Sequence, residues 1–257
     1  MELPILFENE NFLVINKPFG VVVNRADSIK GRTVQDWVES KYDLRTQVTL
    51  PAGMQVKEST TQDNEVFLAR SGVCHRLDKE TSGCLLIAKN PTTMKYFLGI
   101  FKDRKITKSY LALVHGRVDP KEGDVILPLK RSIIDRDRWK VRFDGKKAIT
   151  MWKVLKYFEF GTENEQWKNT LSLLDVGLKT GRTHQIRVHL SFLGWPIFAD
   201  AKYLNGKQFS REKHLLYHHF LHAYYLSFKD QFGEKVEVKA PLPEDCEYLL
   251  KTLKEID

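Results

Sequence analysis

His75-Arg76-Leu77-Asp78-Lys79-Glu80-Thr81-Ser82-Gly83 runs straight into Cys84-Leu85-Leu86-Ile87-Ala88. The second stretch is continuous, apolar and of strand length, which predicts a central strand buried on both faces. The first stretch is mostly polar or ionisable. A polar loop fixed on a buried strand is a place where a reactive side chain can be held accurately. Asp78 lies between Arg76 and Lys79, which should keep it ionised, and an ionised, positioned carboxylate can act as a nucleophile. The same residues also suit an ordinary polar turn, with Asp, Ser and Gly supplying the geometry.

Outward from this point the chain reads as many strands interrupted by few helices. Before it, strand signals cover residues 5–7, 12–16 and 21–23, with Pro18-Phe19-Gly20 as a turn. Thr33 is placed to cap a short helix running to Ser40, with Val34 and Trp37 on one face. Residues 43–64 hold Pro51, Gly53 and a Ser-Thr-Thr-Gln-Asp-Asn run, which predicts a surface loop or small hairpin insertion. Residues 66–69 read as a strand. After the apolar run, residues 91–101 predict a helix with Pro91 in its first turn and Met94, Phe97, Leu98 and Phe101 on one stripe. Strands are expected at 109–114, 124–127, 139–143, 148–158 and 170–178. A helix at 183–193 is stopped by Gly194 and Pro196. Strands at 221–228 and 235–239 and a terminal helix at 243–253 complete the chain. Such an order predicts an α+β fold with a large mixed, mainly antiparallel sheet flanked by helices and loops. The strands do not alternate strictly with helices, which argues against a doubly wound nucleotide-binding fold.

The 257 residues are 42 % hydrophobic and 11 % aromatic, values of a chain with a full core rather than a disordered one. The formal net charge of +8 favours polyanionic partners. Cys74, Cys84 and Cys246 are far apart and form no Cys-x-x-Cys pair, so neither a disulfide framework nor a structural zinc site is expected. No run approaches the roughly 18–20 apolar residues of a membrane helix. A soluble chain in a reducing cytoplasm is the expectation.

A second polar segment, Lys179-Thr180-Gly181-Arg182-Thr183-His184-Gln185-Ile186-Arg187-Val188-His189, follows a strand and opens a helix. Gly181 breaks the strand and Thr183 is the expected N-cap. Arg182 and Arg187 near a helix N-terminus suit a phosphate or a partner carboxylate, and equally suit a solvated helix face. His214, His218 and His222 would share a face if they lay on one helix. The strand expected at 221–228 breaks that face, so no metal site is expected. Phosphate-binding glycine loops, dinucleotide fingerprints and serine elbows are all missing from the sequence.

Read together, the two polar segments resemble the RluA-type family of pseudouridine synthases. Residues 75–83 look like that family's signature around its catalytic aspartate, and residues 181–189 like its second motif. Asn16-Lys17-Pro18, Lys108-Ser109-Tyr110-Leu111-Ala112-Leu113-Val114, Leu221-His222-Ala223 and Ala240-Pro241-Leu242-Pro243 are also family-like and stand in the family's order. Three departures are visible, one being that residues 43–64 look longer than the family's minimal linker. The catalytic pattern begins within the first dozen residues, so the small RNA-binding domain that often precedes it is not expected. Phe198-Ala199-Asp200 stands where the family usually has glycine before the aspartate.

The resemblance implies one catalytic domain over residues 1–257 that isomerises uridines in RNA, breaking N1–C1′ and forming C5–C1′. It implies Asp78 as the essential carboxylate, Arg187 as its partner and Tyr110 against the uracil ring. Leu221 would wall the pocket, and Arg76, Arg182 and His184 would contact substrate. The isomerisation needs no cofactor and no metal. Ribosomal or transfer RNA is the implied partner, not DNA or a membrane, for a protein acting as a monomer. Lys102, Arg104, Lys105, Lys108, Lys130 and Arg131 are candidates for phosphate contact. Two rival classes are a silent RNA-binding module, which would be expected to have lost Asp78, Tyr110 or Arg187, and a nucleosidase, for which Glu80 is the only local second acid.

Overall fold

In a computed structural model, which describes residues 1–27, 29–44, 61–161 and 169–257, the run at Cys84 is a strand whose every residue is buried. In chain order come β1 (Ile5–Glu8), β2 (Phe12–Lys17), α1 (Val34–Lys41), α2 (Thr61–Arg70), β3 (Ser82–Ala88) and α3 (Pro91–Lys102). Then follow β4 (Thr107–His115), β5 (Glu122–Ile126), β6 (Leu129–Arg131), β7 (Trp139–Val141), β8 (Ile149–Phe160) and β9 (Asn169–Leu178). The chain closes with α4 (Gln185–Phe192), α5 (Gly206–Glu212), β10 (Leu221–Lys229), β11 (Lys235–Lys239), α6 (Glu244–Thr252) and β12 (Lys254–Ile256). The fold is α+β. Its residues form two compact units, Met1–Thr107 with Tyr225–Pro241, and Lys108–Tyr224 with Leu242–Asp257.

In the first unit β2 pairs antiparallel with β1 on one side and β3 on the other, Phe12 opposite Ala88 and Lys17 opposite Gly83. Tyr225–Lys229 of β10 pairs antiparallel with β11. Phe12, Phe97 and Phe228 meet edge to face at 5.2–5.6 Å and join β2, α3 and β10 in one core. Thr33 caps α1 in a reciprocal box with Asp36, and Val34 and Trp37 are buried as their spacing predicts. Asn90 caps α3, with Pro91 in its first turn.

In the second unit β9 lies between β4 and β8, antiparallel to both. β5 pairs with the first half of β8 and β12 with the second. A separate two-stranded hairpin, β6 with β7, sets Leu129 opposite Val141. Leu129, Ala148 and Val188 of α4 form a small core there, with Trp139, Val141 and Tyr203 packed against it.

Four expectations need correction. Residues 66–69 are not a strand but part of α2, which also takes in the end of the loop expected at 43–64; residues 45–60 of that loop lie outside the described residues. The run Val66-Phe67-Leu68-Ala69 is too short for periodicity to tell helix from strand, and only Phe67 is buried. Residues 21–23 are not a strand either. Their carbonyls are taken by Lys17 Nζ and by the first N–H groups of α1, not by a ladder. The N-cap of α4 is His184 rather than Thr183, in the left-handed region at φ +55° and with no side-chain cap bond. The strand expected at 139–143 ends at Val141.

Candidate active site

Asp78 belongs to the first unit and stands four residues before β3. The approach to it is tied to β3 by backbone. Cys74 N–H donates to Leu86 C=O, Ala88 N–H donates to Gly72 C=O, and Leu86 N–H donates to His75 Nε2 at 3.0 Å. Gly72 is required for this: at φ +72° a Cβ would sit 2.1 Å from Ala88 O. Beyond Asp78 a turn closes, Thr81 N–H donating to Asp78 C=O at 3.1 Å. Leu77 is buried beneath the loop and Arg76 is exposed.

Lys17, at the end of β2, braces this loop from inside. Its fully buried Nζ donates to the carbonyls of Pro18 (2.7 Å), Val21 (2.9 Å) and Lys79 (3.0 Å). Burial pulls its pKa down to about 7, against the charges of Glu80 and Asp78, which raise it. Lys79 lies 3.6 Å from Glu80, and the charges of Glu80 and Asp78 both favour a proton on Lys17. The signal for it is a lysine ending a mostly apolar strand, Phe-Leu-Val-Ile-Asn-Lys, just before proline.

The second segment is organised by Gln185. Its Oε1 accepts from Thr180 Oγ1 (2.7 Å) and Arg182 N–H (3.0 Å), and its Nε2 donates to Ile149 C=O (2.9 Å) and Thr150 Oγ1 (3.0 Å). These bonds fasten the start of α4 to β8, the work that a capping threonine was expected to do. Two residues on, Arg187 is buried. Its Nε and Nη2 donate to the two oxygens of Asp200 at 2.7 and 2.8 Å, a two-pronged ion pair. Burial would raise the Asp200 pKa, but the hydrogen bonds and charge of Arg187 outweigh it and hold the carboxyl below its ordinary value. The Arg187 guanidinium also lies 5.1 Å from the centre of the Tyr203 ring. Tyr203 hydroxyl accepts from Trp139 N–H and bonds His184 Nδ1 at 2.9 Å. Tyr203 and Asp200 thus bring Arg187 and His184 together, and neither was singled out from the sequence as a site residue. Arg182 stays exposed, its Nε donating to Lys147 C=O at 3.3 Å.

Tyr110 is buried on β4, opposite Val176, and Leu221 is the buried first residue of β10. Among the phosphate-contact candidates, Lys102, Arg104, Lys105, Lys130 and Arg131 are exposed. Lys108 is not a surface charge. It is half-buried, burial lowers its pKa, and its Nζ lies 3.8 Å from where a Cβ on Gly181 would be. His214, His218 and His222 share no helix, since α5 ends at Glu212 and β10 begins at Leu221. His218 instead lies with Asp245 and Cys246, their ligand-type atoms within 4.8 Å. Both its ring nitrogens face oxygens, His219 C=O at 3.2 Å and Asp245 Oδ2 at 2.9 Å, so hydrogen bonding accounts for the group. Among the described residues no helix is long and apolar enough to cross a membrane.

The model of the family described as RNA pseudouridylate synthase matches residues 11–192, a span that takes in both polar segments. The chain belongs to the RNA pseudouridylate synthase family. It is similar to an uncharacterised RNA pseudouridine synthase, YlyB, of Bacillus subtilis, with 34 % identity over 99 % of this chain and 74 % of the relative. It is also similar to ribosomal large subunit pseudouridine synthase D of Buchnera aphidicola from Acyrthosiphon pisum, with 32 % identity over 96 % of this chain and 72 % of the relative. Among solved structures, human RNA pseudouridylate synthase domain containing 1 superposes with a TM-score of 0.68 at 25 % identity, covering 100 % of this chain and 97 % of that one. That human structure shares the α+β fold of this synthase family member.

Proposed function

We infer that the protein isomerises uridine within RNA to pseudouridine, with Asp78 as the essential carboxylate. The observation that carries this is the family match across both segments, with Asp78 held at the end of a loop braced by a buried lysine. The reaction breaks N1–C1′, turns the base and joins C5 to C1′. The C5 proton leaves, N1 gains a proton, and no electrons are exchanged. Asp78 can serve by adding to C1′, by adding to C6 of the base, or by promoting elimination at the sugar. Arg187, by resemblance, pairs with Asp78 and holds it ionised in a desolvated pocket. Its clamp by Asp200 fixes the guanidinium for such a role. Tyr110 offers an aromatic face to a base that must detach yet stay in place, and Leu221 closes the pocket wall. A uridine must leave its stack before Asp78 reaches it, at a cost of a few kcal/mol, and Arg76 fills the vacated space or contacts phosphate. Arg182 and His184 complete the substrate contacts.

The proposed substrate class is ribosomal RNA of the large subunit, since relatives in Buchnera and in Zymomonas mobilis carry that name at 32 % identity. On this reading residues 1–257 act as one catalytic domain, as a cytoplasmic monomer. Non-specific affinity comes from basic residues around the β6–β7 hairpin, where Arg131, Arg136, Lys140, Lys146 and Lys147 are exposed beside bare Ile134 and Phe143. Mapping pseudouridine in ribosomal and transfer RNA from cells with and without the gene tests the assignment. Loss of a large-subunit position is the expected result. Loss confined to transfer RNA would replace the substrate, and no loss anywhere would remove the function.

A further inference from the structure

Where the family resemblance calls for glycine before the aspartate, this chain has Ala199, and Ala199 lies in the left-handed region at φ +57°. Glycine adopts that region freely, whereas an L side chain there brings its Cβ against its own backbone. A strained residue persists only where its surroundings hold it. Ala199 N–H donates to Glu212 Oε2 at 2.7 Å in the interior. Glu212 ends α5 and is almost wholly buried. Its other oxygen lies 2.9 Å from His115 Nε2 of β4, off the line of a hydrogen bond. The His115 ring stacks on Phe198 with centroids 5.8 Å apart and planes 16° from parallel. Phe198 N–H donates to Leu113 C=O at 2.8 Å, and Asp200 N–H to Ile197 C=O at 3.2 Å. The bend is therefore gripped on both sides and by a buried carboxylate at its centre. Its next residue is Asp200, which takes both prongs of Arg187.

We propose that Glu212 is a positioning residue for Arg187: its carboxylate holds Ala199 in the left-handed bend, the bend aims Asp200, and Asp200 aims the guanidinium. A tether from α5 thereby does for this chain what the freedom of glycine does elsewhere. The inference rests on the role given to Arg187 in the proposed function.

Glu212→Gln and Glu212→Met are both uncharged and of similar size, and only the glutamine keeps an oxygen for the Ala199 N–H. Their kcat and KM are measured on an RNA that the wild type modifies, beside urea unfolding. Glu212→Gln should keep kcat within about threefold of wild type, and Glu212→Met should lower it about tenfold with KM within about twofold. Adding Ala199→Gly to Glu212→Met should bring kcat back to within about threefold, while Ala199→Gly alone should change it by less than about twofold. Equal kcat for the Gln and Met variants, or no recovery in the double variant, would overturn the proposal. Should Glu212→Met fail to fold, recovery of folding and turnover on adding Ala199→Gly supports the tether, and continued failure overturns it. Asp200→Asn separates the two layers. Wild-type turnover by Asp200→Asn would remove the clamp on Arg187 and with it the proposal, wild-type turnover by Arg187→Met would remove the role of Arg187 itself, and a slow Asp200→Asn beside a fast Glu212→Met would remove only the tether.

Discussion

Lys17→Met probes the brace beneath the Asp78 loop. The Lys17 ammonium donates to three carbonyls, of Pro18, Val21 and Lys79, with no exposed surface of its own. Burial, opposed by the smaller pull of Glu80 and Asp78, takes its pKa from 10.5 to about 7. That fall corresponds to roughly 5 kcal/mol of disfavour for the charged form in the fold. The folded value lies below the unfolded one, so between pH 7 and 10.5 the unfolded chain binds more protons and stability rises with pH. The penalty is complete below that window and gone above it, with a slope of about 1.4 kcal/mol per pH unit inside it. Lys17→Met removes the charge and its pH dependence but leaves the carbonyls without their donor, at roughly 1–3 kcal/mol each. The two effects oppose one another at pH 7, so the two proteins should differ there by only a few kcal/mol. Towards pH 10 the gap should open in favour of the wild type by about 1.4 kcal/mol per unit. Urea unfolding of both proteins at four or five pH values measures it. Parallel stability curves would show instead that Lys17 keeps its proton throughout. In the same variant the Lys79 carbonyl, next to Asp78, loses its anchor, so kcat should also fall by about tenfold.

Asp200→Ala strands the buried Arg187 and should destabilise the protein by about 3–5 kcal/mol at pH 7. Because the folded pKa of Asp200 is depressed, its contribution is complete above the ordinary 3.8 and fades as pH falls through the folded value, so wild type and variant should converge in acid; curves that stay apart there would deny the pair its charge. Replacing the exposed Arg136 and Lys140 by alanine should weaken binding to many RNAs and flatten the slope of log affinity against log salt by up to about 2, leaving the choice of uridine unchanged. Equal slopes would make the hairpin a solvated surface only. Turnover should survive exhaustive dialysis against a chelator; loss that zinc restores would bring His218, Asp245 and Cys246 into the mechanism.

The elements that the sequence made legible are those with a strong local signal. The apolar run at Cys84, the Thr33 box of α1 and the Pro91 start of α3 each declare themselves within a few residues. What failed depended on partners distant in the chain. Val21 to Val23 have strand composition, but their carbonyls answer to Lys17 and α1. Thr183 has cap chemistry, but Gln185 already holds the start of α4 to β8. The same holds for the site. Asp78, Tyr110 and Arg187 are proposed from motif order, whereas the contacts of Lys17, Asp200, Tyr203 and Glu212 join residues that sequence spacing does not connect. The departure at Ala199 was visible as a residue out of pattern, and its tether at Glu212, thirteen positions later, was not.

Asp78 is the residue proposed to carry the isomerisation. RNA labelled with tritium at C5 of uridine releases that tritium to water when C5 becomes bonded to C1′, with the mass of the unlabelled RNA unchanged. Wild-type protein should release tritium from its substrate and leave no free uracil. Asp78→Asn, similar in size but without the anion, should bind the same RNA with comparable affinity and release essentially none. Substantial release by pure, folded Asp78→Asn protein would take the reaction away from Asp78, and free uracil from the wild type would make the protein a hydrolase.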